Sequence, residues 1–393
     1  MNWRTTACVV IALITFFAFV YTPISDSDFW WHIAAGQWIV AHGALPATDP
    51  FGVFSAADPV RNSTVLRGQW LGQVMLFELF DLWGSAGVIA MRALLLTACL
   101  SLLFWRARLL GAAMWTNWAI LIPSGFLALG FTNDRPQLFS YLLAALLFMA
   151  IENYQRTRVR GWLWTLPLIA VVWANIHAAF LLAVALLPLY VAALWLQARR
   201  QQDFRVRHGG LAFATFAFVT ATLLNPNGLT SYAYLFNLEG SALQTATSEY
   251  ISSFALYTLG NVVPQIWVAL HSGVNRSLFP VAALDALGDK NIAGKIFNHM
   301  QWGGYLLWRL SPAAHLYVDG RMLDSARLEP YRHILWATPS GVELLRREQF
   351  DTVMLPPSNR FTGERYALVD YLRIQPEWHM QYQDRDAVVF VRR

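Results

Sequence analysis

Long apolar runs recur through the first two thirds of the chain and then give way to short alternating ones. The long runs predict about seven membrane helices, near 5–22, 85–104, 109–131, 136–152, 162–175, 178–196 and 210–224. Between the first two runs lies a loop, 23–84, too long for a simple connector. It contains two helical patterns, Phe29–His42 and 65–83, separated by Pro46, Pro50 and Pro59, and their Trp, Phe and Leu content predicts helices lying along a membrane interface. From about Arg276 the apolar runs are too short to span. Strands are expected at 295–298, 315–319 and Thr352–Leu355, with a closing hairpin from Trp378–Gln383 to 387–392 and helices between them, which predicts a small α/β domain. The pattern thus divides the chain into a transmembrane module, 1–275, and a soluble domain, 276–393. Segment 250–270 is uncharged but contains Gly260, Asn261 and Pro264. It reads as an interfacial or re-entrant segment rather than an eighth span, because those residues would leave backbone groups unpaired in lipid.

Composition agrees with a polytopic α-helical membrane protein: 56% of residues are hydrophobic and 13% charged. The placement of arginine gives an orientation. Arg4, Arg106, Arg108, Arg156, Arg158, Arg160, Arg199, Arg200, Arg205 and Arg207 fall on one side of the expected spans. Asp26, Asp28, Asp49, Glu78, Asp81, Asp134 and Glu249 fall on the other. The positive-inside rule puts the N-terminus in the cytoplasm and the C-terminal domain outside it. The net charge of +5 is then a topology signal and asks for no nucleic acid. Pro23-Ile24-Ser25-Asp26 offers no small-x-small cleavage pattern, so the first run reads as an uncleaved span. Cys8 and Cys99 fall in expected spans without framework spacing, which points to neither a disulfide scaffold nor a zinc site.

Candidate chemistry begins with Asp26-Ser27-Asp28-Phe29-Trp30-Trp31-His32, directly after the first apolar run. If a helix starts at Phe29, Asp28 lies at its mouth and His32 one turn along on the same face. Asp28 is the candidate base, unless it merely caps the helix. Asp26 and Asp28 also offer oxygen ligands suited to a divalent cation such as Mg or Mn, without completing a set. Arg92, inside the second span, needs a partner or a cavity. A lipid phosphate, snorkelling, or an ion pair with Glu78 or Asp81 would each serve. Asp134 and Arg135 before Pro136 can orient an acceptor or a pyrophosphoryl group, or form a loop ion pair ahead of a helix. His177, in a short hairpin turn with Asn175, can donate to phosphate or bond to backbone. Glu249 precedes the ambiguous segment and is a further candidate for the same cavity. In the soluble domain, Asp319-Gly320-Arg321 with Asp324, and the turn Trp302-Gly303-Gly304-Tyr305, read as acceptor binding or as a structural cap.

The run from Asp26 to Ile39 with His42-Gly43, Pro46 and Thr48-Asp49-Pro50-Phe51 resembles bacterial polytopic membrane proteins related to the GT-C glycosyltransferases. So do Asp134-Arg135-Pro136-Gln137, Trp173-Ala174-Asn175-Ile176-His177, Trp302-Gly303-Gly304-Tyr305 and Val318-Asp319-Gly320-Arg321. The resemblance covers nearly the whole chain. It implies inverting transfer of a sugar from a polyprenyl-phosphate carrier to a glycan, lipid or protein acceptor, on the periplasmic side of the bacterial inner membrane, using an acidic residue of the first outer loop. Relatives with this C-terminal domain carry further spans after the segment resembling Ser248-Glu249-Tyr250, so the likeness is to a shortened member. A non-catalytic scaffold or lipid-binding protein that keeps the fold is the alternative, and a transporter a third, though no inverted repeat is found. The enzyme reading expects Asp26, Asp28, Arg92, Asp134 and His177 to share an outward cavity. The scaffold reading expects them scattered or plugged.

Overall fold

A computed structural model describes residues 9–10, 12–14, 16–17, 21–52, 65–119, 133–200, 209–233, 274, 276, 278–289, 292–321, 324–360 and 362–393. Segment 250–270 and Glu249 lie outside them, as does most of the expected span 109–131. The chain forms two compact units, one of 1–22 with 67–235 and the other of 23–66 with 236–393. The hydropathy boundary at 275/276 follows the change in solvent, whereas the packing groups the loop after the first apolar run with the C-terminal domain.

Among the described residues up to 221, the helices include, in chain order, α1 (Phe29–His42), α2 (Trp70–Leu109), α3 (Gln137–Thr157), α4 (Gly161–Ile176), α5 (Phe180–Arg200) and α6 (Gly209–Ala221). Three of them, α2, α3 and α5, are long and apolar enough to cross a membrane, while α4 and α6 are shorter apolar helices. At 1.5 Å per residue α5 is about 31 Å long, close to the thickness of a bilayer's hydrocarbon core. Only 22% of its most apolar window is buried within the protein. Leu182, Leu186 and Leu189 are exposed, as are Phe148 of α3, Leu168 of α4 and Phe216 of α6. Apolar surface on that scale calls for lipid rather than water. Inside the unit, α4 packs against α3 and α6 through Ile151, Tyr154, Leu166, Ala170, Leu211 and Phe218. Pro167 and Pro188 sit within α4 and α5, a placement that membrane helices tolerate.

The expected helix 65–83 and the expected span 85–104 are joined in α2, and the junction is Gly84. Its φ of 61° and ψ of −157° break the helical path at a conformation that a Cβ would disfavour. The end expected for the loop is therefore a break inside one long element.

The second unit continues with α7 (Val281–Leu287), β1 (Gly294–Asn298), α8 (Gly303–Leu310), β2 (Ala314–Leu316), α9 (Leu328–Leu335) and α10 (Pro339–Glu348). It ends with β3 (Thr352–Leu355), α11 (Ala367–Arg373), β4 (Trp378–Gln383) and β5 (Val388–Arg392). The five-stranded sheet has the order β2-β1-β3-β5-β4, with β2, β1 and β3 parallel and the hairpin antiparallel. All four residues of β3 are buried, as a central strand covered on both faces requires. Phe297, Val353, Leu355, Val388 and Phe390 join Tyr331, Ile334, Leu345, Leu368 and Leu372 of α9, α10 and α11 in one core. The strand expected over 315–319 stops at Leu316. There the buried Asn298 intervenes: its Oδ1 accepts from Tyr317 N at 3.2 Å and its Nδ2 donates to Val318 O at 2.7 Å, so a side chain takes over where the strand ladder ends.

Helix α1 was expected at an interface and instead belongs to this unit's core. Its residues 29–36 and Ile39 are buried, and it packs against α8. Trp30 stacks on Trp308 at 4.7 Å and meets Tyr305 and Phe279 edge-on. The close approach depends on Gly304, where a Cβ would lie 2.5 Å from Ser27 O and 3.2 Å from Trp31 N. Backbone atoms cannot swing aside, so Gly304→Ala is expected to cost this unit about 1–3 kcal/mol by overpacking. A lowered apparent melting temperature by tryptophan fluorescence checks this, with Gly209→Ala, where nothing lies within 4 Å of the added carbon, as the unaffected control.

Candidate functional site

In the second unit, four of the sequence motifs meet. Asp28 precedes α1, but its side chain does not cap the helix, which sets aside the simplest structural account of it. Asp26 Oδ1 accepts from Asp28 N at 3.0 Å, so the first carboxylate fixes the backbone that carries the second. Asp28 Oδ1 lies where a Cβ on Gly320 would collide with it, and the glycine of Asp319-Gly320-Arg321 thereby makes room for the carboxylate. His32 follows one turn into α1, its backbone N–H bonded to Asp28 O at 3.4 Å and its ring, 2% exposed, against Trp31.

Arg321, next to Gly320, is almost fully buried and doubly paired. Its Nη1 and Nη2 donate to Asp49 at 2.6 and 3.0 Å, and its Nε and Nη2 donate to Asp319 at 2.9 and 2.8 Å. Asp49 also accepts from the N–H groups of Phe51 and Gly52, and Phe51 lies under the guanidinium at 5.2 Å. Burial alone pulls the Arg321 guanidinium down, yet the Asp319 and Asp49 carboxylates hold it above its ordinary value. The sequence presented Thr48-Asp49-Pro50-Phe51 and Val318-Asp319-Gly320-Arg321 as separate motifs, and the pairing of Asp49 with Arg321 was missed. A lone acid in a Pro-rich loop and a lone Arg after a strand are the only signals of it.

Of the candidates in the membrane unit, Arg92 and Asp134 come together. Their side chains are each 1% exposed and their Nη1–Oδ2 distance is 2.7 Å. Arg92 Nη2 also donates to Thr22, to its carbonyl and, at 3.0 Å, to its Oγ1. The partners foreseen for Arg92, Glu78 and Asp81, are exposed on α2, and Asp134 takes their place because it too is shut away from water. Arg135 is half-buried beside it in sequence, and Asp134 is the carboxylate that pairs with Arg92. His177 ends α4. Its Nδ1 accepts from Ala179 N at 3.2 Å and lies 3.2 Å from Ser140 Oγ, which in turn accepts from Trp173 Nε1 at 2.9 Å. Asn175 accepts from Trp70 Nε1 at 2.7 Å and donates to Leu224 O at 2.9 Å. The Trp173-Ala174-Asn175-Ile176-His177 motif therefore ties α4 to the start of α2, to α3 and to the end of α6. The motif is thus a joint between helices, with His177 Nδ1 turned to Ala179 N and Ser140 Oγ.

Among the described residues, no three His, Cys, Asp or Glu side chains gather as a metal would require. Asp26 and Asp28 alone, with an oxygen of Asp26 engaged by backbone, do not fit Mg or Mn as a complete oxygen set. No protein-family model matches the chain, and no curated protein is significantly similar to it.

Proposed function

We propose that the chain is a membrane glycosyltransferase that moves a sugar from a polyprenyl-phosphate carrier to an acceptor hydroxyl, with Asp28 as the base. The observation that carries this reading is the state of Asp28: a carboxylate at the head of a buried helix, not used as a cap, given room by Gly320. In this reaction Asp28 takes the proton of the acceptor hydroxyl as its oxygen bonds to the anomeric carbon. The bond from that carbon to the phosphate oxygen breaks with inversion, and the electron pair leaves on the polyprenyl phosphate. Asp26 is a positioning residue, because it holds the Asp28 backbone. The arginine distribution supports a cytoplasmic N-terminus with the second unit on the opposite side, and the resemblance to GT-C proteins implies that this side is the periplasm of a bacterial inner membrane, with a glycan, lipid or protein as acceptor.

Transfer of radiolabelled sugar from a panel of polyprenyl-phosphate donors by purified protein tests the reading. Asp28→Asn is expected to lower transfer by about 10²–10⁴-fold with the melting temperature unchanged. Transfer undiminished in Asp28→Asn would remove Asp28 from the mechanism.

One observation favours a second reading, a non-catalytic scaffold or lipid-binding protein of the same architecture. Arg92 and Asp134, two of the groups expected to meet substrate, are spent on each other, and the His177 Nδ1 is met by backbone. That reading gains if donor lipid binds equally to wild type, Asp26→Asn and Asp28→Asn with no transfer from any donor.

A further inference from the structure

The sheet of the second unit reverses its strand order between β1 and β3. From β1 the chain leaves through α8 to β2 on one side, and from β3 it leaves through α11 to the hairpin on the other. Ligands of open α/β sheets bind at the carboxyl ends of the strands where connections diverge in this way. A pocket of about 100 Å³ lies at that place. His299, Gln301 and Trp302, which follow β1, line it on one side, and Asn359, Arg360 and Tyr366, which follow β3, line it on the other.

Its polar groups are incomplete as they stand. His299 Nδ1 is buried with no hydrogen-bond partner among the described residues, while Nε2 shares a 3.3 Å hydrogen bond with the Tyr366 hydroxyl. A buried imidazole nitrogen left unmet costs free energy that a ligand atom would recover. Arg360 is exposed at the rim, and its ion pair with Asp386, at 3.8 Å, is beyond hydrogen-bond reach, so the guanidinium retains donors. No acidic residue lines the pocket. Burial, helped by the Arg360 charge, pushes the His299 imidazole down to about 4, so at neutral pH the positive charge is that of Arg360. Trp302 and Tyr366 provide flat apolar walls. The volume is well below the roughly 300–1,000 Å³ of sites that enclose drug-sized molecules, so the pocket suits one ring with one charged group.

We propose that this crevice binds a small ring-bearing organic anion, with its phosphate or carboxylate on Arg360, a second polar atom on His299 Nδ1 and its ring against the aromatic lining that Trp302 and Tyr366 supply. The site goes beyond the transfer chemistry at Asp28 and does not depend on it. Calorimetric titration of the full chain in uncharged detergent tests it, with glucose 6-phosphate, glucuronate, inorganic phosphate and glucose as probes. Glucose 6-phosphate or glucuronate is expected to bind where glucose does not, and whichever binds more tightly identifies the oxyanion. Arg360→Gln is expected to weaken that binding by about tenfold or more. Gln301→Trp, placed from the exposed rim, is expected to block it without removing a buried group, and decides the matter if Arg360→Gln does not fold. No heat with any of the three anions, glucose binding as tightly as they do, or full affinity in either variant would overturn the proposal.

Discussion

Asp134→Ala is expected to destabilise the membrane unit by about 3–5 kcal/mol, because it removes the carboxylate 2.7 Å from the Arg92 guanidinium in a site where both side chains are 1% exposed. The two hydrogen bonds to Thr22 remain, and they supply neutral acceptors. Replacing both partners by Leu is expected to recover most of the loss, since the buried charge leaves with its partner. Asp134→Asn should fall between, keeping an acceptor and losing the charge. Melting of detergent-solubilised protein, followed by tryptophan fluorescence, ranks the four proteins. An Asp134→Ala variant as stable as wild type would mean that water or a lipid phosphate serves Arg92. The pair would then belong to a substrate cavity after all.

Local pattern and tertiary pairing were unequally legible in the sequence. Helix Phe29–His42 and strands Thr352–Leu355 and Trp378–Gln383 have the bounds that hydrophobic spacing and turn residues predict. Their periodicity is a property of a few consecutive residues and of the solvent they face. Strand β2 came out shorter because its end depends on Asn298, a buried amide that reaches across from the neighbouring strand. Helix α1 looked interfacial because a helix apolar on most sides reads alike whether lipid or protein covers it. Its cover is α8, more than 250 positions further on, with Gly304 as the only local hint. The site divides in the same way. The place of Asp28 at the mouth of a helix was legible, whereas the partner of Arg92 had to be one of several acids. Nearness in sequence favoured Glu78 and Asp81, and burial selects Asp134. For His177 the sequence offered phosphate or backbone as a partner, and neither Ala179 N nor Ser140 Oγ, which stand around its Nδ1, was legible in it.

Arg321→Met is expected to be the most damaging single change in the second unit, again about 3–5 kcal/mol, and its effect should extend beyond stability. Arg321 lies 272 positions from Asp49, and through it holds the Pro-rich loop that follows α1 to the turn that faces Asp28. Removing it leaves two nearly buried carboxylates, Asp49 and Asp319, without their common cation. Asp49 retains its bonds from Phe51 N and Gly52 N, so the loop itself keeps its turn and loses its anchor. Hydrogen exchange should therefore rise over 43–52 and 317–321 before the core strands β1 and β3 are affected. Arg321→Lys should rescue little, because an ammonium cannot span two carboxylates with the four donor contacts of the guanidinium fork. The combination Asp49→Asn with Arg321→Met should be less than additive, since the two groups share one interaction. If Arg321→Met melts with the wild type and its exchange is unchanged, the loop is held by its backbone contacts, such as the bridge from Gly52 to Leu316. In that case the two motifs have no structural reason to occur together, and a direct part in binding substrate becomes the better account of both.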